Sequence, residues 1–312
     1  MEICILDSGQ FIERPELLEP LYAFGKVRDF SGMPGTEDEI AARARDAEVV
    51  AWSMTKLSNR VLDRLPKLKL LQFIGTGLWN FADVDYAHAR GIRTRNIEAY
   101  GSNAVAEFAI GLTMALQRGI VPAVNRVKAR RWDLDGLRGR EIAGSTVGVI
   151  GTGSIGSLVA QKFIGLGARV IANDIRENPE LREAYGLEYV PVEELFLRSD
   201  VITIHMKATR DNRRFVSERL LRLMKPEAVL INVSRAELVD CEALCRALSE
   251  GRIGGAAVDV YEDEPLSDSD YRLVQLPNVI GTPHIGFYTG ESNENAVRLA
   301  VASIVSALES GA

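Results

Sequence analysis

The run Thr146-Val-Gly-Val-Ile150, then Gly151-Thr-Gly153-Ser-Ile-Gly156, then Ser157-Leu-Val-Ala-Gln-Lys-Phe-Ile-Gly-Leu-Gly-Ala-Arg169 and Val170-Ile-Ala-Asn-Asp174, decides the fold. It is a short apolar strand, a glycine-rich turn, an amphipathic helix and a second apolar strand ending on a carboxylate. Gly151 permits the tight turn out of the strand, and Gly153 lets the backbone approach a pyrophosphate. Gly156 lets the helix pack closely, so that its free N–H groups, at Ser154 and Ile155, point at phosphates. Asp174 lies 18 positions after Gly156, where a carboxylate can accept hydrogen bonds from both hydroxyls of an adenosine ribose. A GxGxxG alone is a weak signal, since glycine-rich turns are common in α/β proteins. Here the strand before, the helix after and the terminal Asp agree, and dinucleotide binding is the reading. An Asp with no basic residue at its position favours NAD over NADP, with Arg176 pulling the other way.

The chain is 312 residues long, room for about two domains. Its 46% hydrophobic and 26% charged residues are ordinary for a soluble globular protein. A net charge of −6, with no basic run interleaved with aromatics, argues against a nucleic-acid surface. No apolar run approaches the roughly 18 residues that span a bilayer, and the N-terminus enters a strand without a signal-peptide pattern. Three cysteines, Cys4, Cys241 and Cys245, fit a reducing cytoplasm and give no disulfide framework. Cys241 and Cys245 sit one helical turn apart, but no His or Cys partner lies nearby, so they read as a helix face and no metal is expected.

Residues 1 to 98 alternate strands (Ile3–Asp7, Val27–Phe30, Glu48–Trp52, Leu70–Ile74, Ile92–Thr94) with helices (Glu16–Phe24, Glu37–Arg45, Ser58–Leu65, Val84–Arg90). Apolar strands separated by helices imply a parallel sheet covered on both faces. With no GxGxxG here, this unit binds something other than the dinucleotide. Ser102-Asn103 then opens a long helix, Ala104–Arg118, apolar over much of its circumference. Such a helix belongs to a large core or a subunit interface, and the interface reading makes the chain a homodimer through this region. After a polar stretch with Arg130-Arg131-Trp132 and the glycine motif come strands at Leu187–Val190, Val201–His205, Ala228–Asn232, Gly255–Val260 and Val279–Thr282. Between them lie helices at Val192–Arg198, Ser217–Leu223 and Cys241–Glu250. About seven strands suit a doubly wound sheet. A last helix, Glu291–Leu308, returns to the first domain, so the chain crosses between domains twice and makes a hinged cleft.

In an open α/β sheet ligands bind beyond the carboxyl ends of the strands. That singles out His205 with Thr209, Ser234-Arg235, Asp259 with Glu264, and His284. A guanidinium fits a carboxylate bidentately, and a His paired to a Glu is suited to give a proton to a carbonyl oxygen. The plain alternatives are a surface ion pair for Arg235 and a solvated acidic loop for Glu264, and their shared position favours the set. His88, on a predicted helix, reads as a surface or core residue.

At these residues the chain resembles the D-isomer-specific 2-hydroxyacid dehydrogenases over essentially its whole length. The matching stretches are Tyr100-Gly-Ser-Asn-Ala-Val-Ala-Glu107, Val147-Gly-Val-Ile-Gly-Thr-Gly-Ser-Ile-Gly156 and Met224-Lys-Pro-Glu-Ala-Val-Leu-Ile-Asn-Val-Ser-Arg235. Gly255-Ala-Ala-Val-Asp-Val-Tyr-Glu-Asp-Glu-Pro265 and Thr282-Pro-His-Ile-Gly286 complete the set. The resemblance implies that Arg235 binds the substrate carboxylate and polarises the 2-oxo group, that Glu264 holds His284, and that His284 is the acid/base. It implies that Asp259 bonds the nicotinamide carboxamide and that Gly75-Thr76-Gly77 helps hold the carboxylate. Expected cofactor contacts are Ser102, Gly151, Gly153, Ser154, Ile155, Gly156, Asp174, His205, Thr209, Val233, Ser234 and Asp259. Three departures stand out. Ala236 replaces the usual Gly, and a positive φ there would strain it. His205-Met-Lys207 replaces His-x-Pro. The loop Gly75-Thr-Gly-Leu-Trp-Asn-Phe-Ala-Asp83 carries aromatics and an extra residue. Trp52, Trp79 and Phe81 read either as core or as walls for an apolar substrate side chain.

The expectation is therefore two doubly wound parallel-sheet α/β domains with a cleft between them. One is a Rossmann-type NAD-binding domain (99–287), the other a smaller flavodoxin-like substrate domain (1–98 plus about 288–312). The expected activity is NAD-dependent reduction of a small-molecule 2-oxo acid. The alternative is an NAD(H)-sensing scaffold or corepressor-like protein on the same fold, which NADH consumption over a panel of oxo acids would separate.

Overall fold

A computed structural model describes residues 1–310. The chain forms two compact units: Met1–Gly101 together with the chain from Tyr288 onward, and Ser102–Phe287. The expected first-domain range ran to 312, and residues 311 and 312 lie outside the described residues.

The first unit carries β1 (Glu2–Ile5), β2 (Lys26–Asp29), β3 (Val49–Trp52), β4 (Leu70–Phe73) and β5 (Arg93–Asn96), with helices α1 (Glu19–Tyr22), α2 (Glu37–Ala44), α3 (Asn59–Asp63) and α4 (Val84–Ala89). All strands are parallel, in the order β2-β1-β3-β4-β5. β3 and β4 are buried along their whole length, as strands covered on both faces must be. One face packs Trp52, Leu71 and Phe73 against Ile40, Val61 and Leu62 of α2 and α3. The closing helix, Gly290–Glu309, buries Ala296, Val297, Ala300, Val301 and Ile304 and packs on β4 and α1. Thr36, Asp83 and Thr289 cap the helices that follow them, each supplying a side-chain acceptor to an unpaired first-turn N–H.

The second unit carries β6 (Thr146–Ile150), β7 (Arg169–Asn173), β8 (Glu188–Tyr189), β9 (Val201–Ile204), β10 (Val229–Asn232), β11 (Gly255–Val258) and β12 (Val279–Gly281). They form one parallel sheet in the order β12-β11-β10-β9-β6-β7-β8. Its helices are α5 (Ser102–Gln117), α6 (Ile120–Lys128), α7 (Ser154–Gly165), α8 (Pro179–Tyr185), α9 (Val192–Arg198), α10 (Glu218–Leu221), α11 (Cys241–Ser249) and α12 (Asp268–Val274). Ala106, Ala109 and Leu112 of α5 meet Val147, Val149, Val159 and Phe163 on one face. Leu195, Phe196, Leu220 and Leu244 line the other.

Three local readings change. Ser102 and Asn103 are the first residues of α5, where Asn103 Nδ2 donates to Glu107 Oε1 at 2.8 Å; they lie inside the helix they were expected to cap. The stretch read as polar contains α6, bent from α5 by 62° at a left-handed Gly119. Pro122 sits in the first turn of α6, where no intrahelical N–H bond is lost. The apolar circumference of α5 packs on its own sheet, with Val105, Phe108 and Leu116 half-buried against the same core. No residue of α6 is buried. Among the described residues no single helix is long and apolar enough to cross a membrane.

Phe163, fully buried between α7 and the sheet, makes a clean test of this packing. Phe163→Ala should lower unfolding stability by about 3–5 kcal/mol, read from the urea midpoint; a loss under about 1 kcal/mol would contradict that packing.

Candidate active site

The strand order of the second unit reverses between β6 and β9, the place where an open α/β sheet receives its ligand. The turn after β6 is built for close approach. Gly151 is left-handed (φ 87°), and a Cβ there would lie 2.7 Å from Met206 N and 2.8 Å from the His205 carbonyl carbon. A Cβ on Gly156 would collide with the Gly151 carbonyl oxygen, while one on Gly153 would meet no atom of the chain. Gly151 and Gly156 thus serve the fold, and Gly153 keeps space open in front of α7. No side chain caps α7, so the N–H groups of Ser154, Ile155 and Gly156 remain for an anion. This cradle fits a dinucleotide pyrophosphate.

Asp174 stands beside the turn at the end of β7. Its Oδ2 accepts from Thr152 N at 2.5 Å and Thr152 Oγ1 at 3.1 Å, and its Oδ1 from Arg176 N at 3.0 Å. A carboxylate has about four acceptor positions, and the chain occupies three of them. Tyr189 completes the support by donating to Thr152 Oγ1 at 3.0 Å.

Across the switch point, His205 Nε2 bonds Thr203 Oγ1 at 2.8 Å, and its Cβ would be 3.2 Å from a Cβ on Gly156. It walls the turn. Thr209 starts the turn Arg210–Asn212, its N–H donating to Asn212 Oδ1 at 2.7 Å. Lys207 is exposed, and its carbonyl accepts from Asn212 Nδ2 at 2.8 Å.

At the end of β10 the buried Asn232 shapes the next turn. Its Oδ1 accepts from Ser234 N at 3.1 Å and its Nδ2 donates to Arg235 O at 3.0 Å. Ser234 Oγ reaches Met206 O at 2.7 Å, and Val233 is buried. Arg235 is half-buried, with Nη1 on the Ser234 carbonyl at 2.7 Å. Ala236 opens a 3-10 turn and is not among the residues with positive φ, so the expected strain does not arise.

His284 lies at the end of β12 in a left-handed conformation, φ 54°. Its Nδ1 sits 2.9 and 3.0 Å from the two oxygens of Glu264. Burial raises the Glu264 carboxyl, but the His284 hydrogen bond and charge, the Tyr261 N–H and the Arg235 charge more than offset it, and the group falls below the usual carboxylate range. Asp259, 1% exposed, takes Thr282 Oγ1 at 2.6 Å, Ile285 N at 3.0 Å and Gly286 N at 2.7 Å. Its oxygens thus accept three bonds from the loop that carries His284.

Residues 110–286 match the family model described as "D-isomer specific 2-hydroxyacid dehydrogenase, NAD binding domain". The chain belongs to the D-isomer-specific 2-hydroxyacid dehydrogenases. The cradle described above lies within residues 110–286, the part that matches the NAD-binding domain. The chain is 37% identical over 283 residues to the D-3-phosphoglycerate dehydrogenase of Methanocaldococcus jannaschii, covering 90% of this chain but 53% of that protein; it spans about half the length of that relative. It is 38% identical over 238 residues to an aromatic 2-oxoacid reductase of Clostridium sporogenes, covering 72% of this chain and 71% of that one. The D-lactate dehydrogenase of Aquifex aeolicus, solved with NAD and lactic acid, superimposes with a TM-score of 0.82 at 30% identity, covering 100% and 96% of the two chains.

Within this dehydrogenase frame the second unit brings Arg235, Glu264 and His284 to neighbouring strand ends. The first unit holds Gly75-Thr76-Gly77 at the end of β4, with Thr76 exposed and Gly77 left-handed (φ 90°). Trp52 is fully buried core, and Phe81 is half-buried with its ring 4.7 Å from that of Phe73. Trp79 is 60% exposed. His88 is exposed and bonds Thr94 Oγ1 at 2.8 Å. Thr152, Asn232 and Thr282, which orient the site, were not singled out in the sequence, since a polar residue beside a strand end carries no signal of what it will hold.

Burial pushes the His205 imidazole down to about 3, against an ordinary value near about 6.5. The unfolded chain therefore binds a proton that the folded chain refuses. The stabilisation is complete above about pH 6.5 and is lost as pH falls toward about 3. His205→Gln should flatten the acid limb of the melting-temperature profile over that window, and an unchanged slope would show that His205 is not held neutral.

Proposed function

We propose that the chain reduces a 2-oxo acid to the D-2-hydroxy acid with NADH, and runs the reverse reaction, with Arg235, Glu264 and His284 as its catalytic set. The observation that carries this is the Glu264–His284 pair. With Nδ1 held by the carboxylate at 2.9 Å, the ring presents Nε2 outward, where it can give a proton to a carbonyl oxygen. NADH, when bound, supplies the hydride to C2. His284 protonates the oxygen as its charge develops, and Glu264 stabilises the imidazolium that gives the proton up. In the reverse direction neutral His284 takes the hydroxyl proton. Arg235 uses one nitrogen on the Ser234 carbonyl, which leaves the rest of its fork for the substrate carboxylate and the 2-oxo group. The Gly75–Gly77 N–H groups are further candidate donors to a carboxylate. Asp174 favours the ribose diol of NAD, since a 2′-phosphate would place like charge against it.

A second copy of the chain is the partner that best accounts for α6. Ile120, Val121, Val124 and Val127 form one exposed apolar face, continued by Trp132 (92% exposed) and Leu134 (85%). A two-fold pairing would cover both copies of this patch. The interface reading of the α5 region thus moves to the helix that follows. Three free thiols support a reducing, cytoplasmic setting. Val124→Asp with Val127→Asp should convert a dimer to a monomer in sedimentation, and a monomeric parent chain would refute the pairing.

Arg235→Ala should lower kcat/KM for every accepted oxo acid by roughly 1,000-fold, about 4 kcal/mol of transition-state stabilisation, while the NADH dissociation constant stays within about twofold. The measurement is NADH consumption with glyoxylate, pyruvate, hydroxypyruvate and aryl or branched 2-oxo acids. Near-normal activity of the variant would remove Arg235 from the catalytic set, and no turnover by the parent chain would overturn the reductase reading.

A further inference from the structure

A run of hydrogen bonds inside the second unit ends on Asp174, and its direction is fixed. It starts at a backbone donor: the Asn178 N–H gives a bond to the Tyr189 hydroxyl at 2.9 Å. A backbone N–H can only donate, and a phenol has one proton of its own. That proton goes to Thr152 Oγ1 at 3.0 Å, and the Thr152 hydroxyl gives its own to Asp174 Oδ2 at 3.1 Å. The run therefore goes one way, and it can end only on an acceptor, which a carboxylate is. Asn178 also closes a ring behind it. Its Nδ2 donates to Ser157 Oγ at 3.2 Å, and Ser157 Oγ donates to the Thr152 carbonyl at 2.7 Å. Each bond a hydroxyl accepts polarises it and strengthens the bond it gives.

Four pieces of chain meet here: the glycine turn, the first turn of α7, the residue that caps α8, and β8. Thr152 is 4% exposed. Tyr189 is half-buried, its ring packed on the same core as α7. β8 is two residues long and pairs with β7 at the edge of the sheet. The ring alone would serve that packing, and the hydroxyl is what reaches the turn. At Asp174 the bonds are uneven. Oδ2 takes both the N–H and the hydroxyl of Thr152, while Oδ1 takes the Arg176 N–H. Thr152 thus sets how the carboxylate is turned, and Tyr189 sets the Thr152 hydroxyl.

We propose that Tyr189 is a positioning residue for cofactor choice. Through Thr152 it holds the half-buried Asp174 carboxylate where it accepts from the 2′-hydroxyl of an adenosine ribose and opposes a 2′-phosphate. The inference rests on the reading of Asp174 as the ribose contact given above. Preference is a difference of two affinities, so a carboxylate free to turn loses part of what it gains with one dinucleotide and part of what it denies the other.

The test is binding, read from nicotinamide fluorescence with no oxo acid present, of NADH, NADPH and 2′-deoxy-NADH, whose adenosine ribose lacks the 2′-hydroxyl. Asp174→Asn should lower the preference for NADH over NADPH at least about twentyfold. Tyr189→Phe keeps the ring and should lower it about fivefold, chiefly through weaker NADH, with 2′-deoxy-NADH within about twofold of the parent. In the Asp174→Asn background, Tyr189→Phe should change the preference by less than about twofold, because the two act through one contact. Thr152→Val should reproduce the loss and Thr152→Ser should retain the parent preference, since the hydroxyl carries the effect; this pair decides should Tyr189→Phe fail to fold. An equal weakening of all three dinucleotides marks a loosened turn and overturns the role of Tyr189. An unchanged preference in Tyr189→Phe, or effects that simply add in the double variant, overturns it too, and in each case a shift in Asp174→Asn leaves the Asp174 reading standing. An unchanged preference in Asp174→Asn overturns both.

Discussion

The geometry of the proposed chemistry depends on one buried carboxylate. Asp259 takes the Thr282 hydroxyl and the N–H groups of Ile285 and Gly286, so it grips the chain on both sides of His284. A histidine at φ 54° occupies a region that costs a non-glycine residue roughly 1 kcal/mol or more and persists only where its surroundings determine it. The three bonds supply that determination. Without them the loop would have no reason to hold the imidazole within reach of Glu264, and the ion pair would revert to two solvated side chains worth little.

The same economy governs the dinucleotide turn. Its glycines are often explained together by the ligand, but here they separate. Gly151 and Gly156 are demanded by the chain itself, because a Cβ on either would strike backbone atoms. Only Gly153 faces open space. The protein thus keeps the turn tight by internal sterics whether or not a cofactor is present, and the ligand meets a site formed in advance, with unpaired N–H groups that need no reorganisation.

The architecture was legible because its signals are local and repeated. Apolar strands alternating with helices imply parallel sheets, and glycines at fixed spacing after one of them mark the switch point. Arg235, Glu264 and His284 could be placed at strand ends because those ends are predictable from the strands. What stayed hidden depends on neighbours distant in sequence. Trp52 and Phe81 carry no mark that tells a pocket from a core; only their burial and their contacts with Phe73 show how each is placed. α6 was hidden in a stretch read as polar from Arg130-Arg131-Trp132, because none of its residues is buried and so it carries no core-facing apolar signal. Ala236 looked strained because its φ could not be known, and the 3-10 turn it opens removes the problem.

Three aspartates at strand ends show why a parallel sheet produces sites of this kind. Asp7 follows β1, Asp174 follows β7 and Asp259 follows β11, and each accepts backbone N–H groups from a neighbouring loop. At the carboxyl edge of a parallel sheet the loops that leave adjacent strands turn their N–H groups outward with no ladder partner, so the edge is rich in donors. A short carboxylate satisfies them without bringing bulk. The differences between the three then divide the labour. Asp259 is buried with its oxygens engaged, and it acts through the loop it holds. Asp7 is buried as well, and it holds the turn that follows β3. Asp174 accepts three bonds, as many as Asp259, but it is only half-buried, so of the three it is the one open to a ligand. Exposure, more than residue type or the number of bonds accepted, distinguishes a contact residue from a positioning residue along this edge.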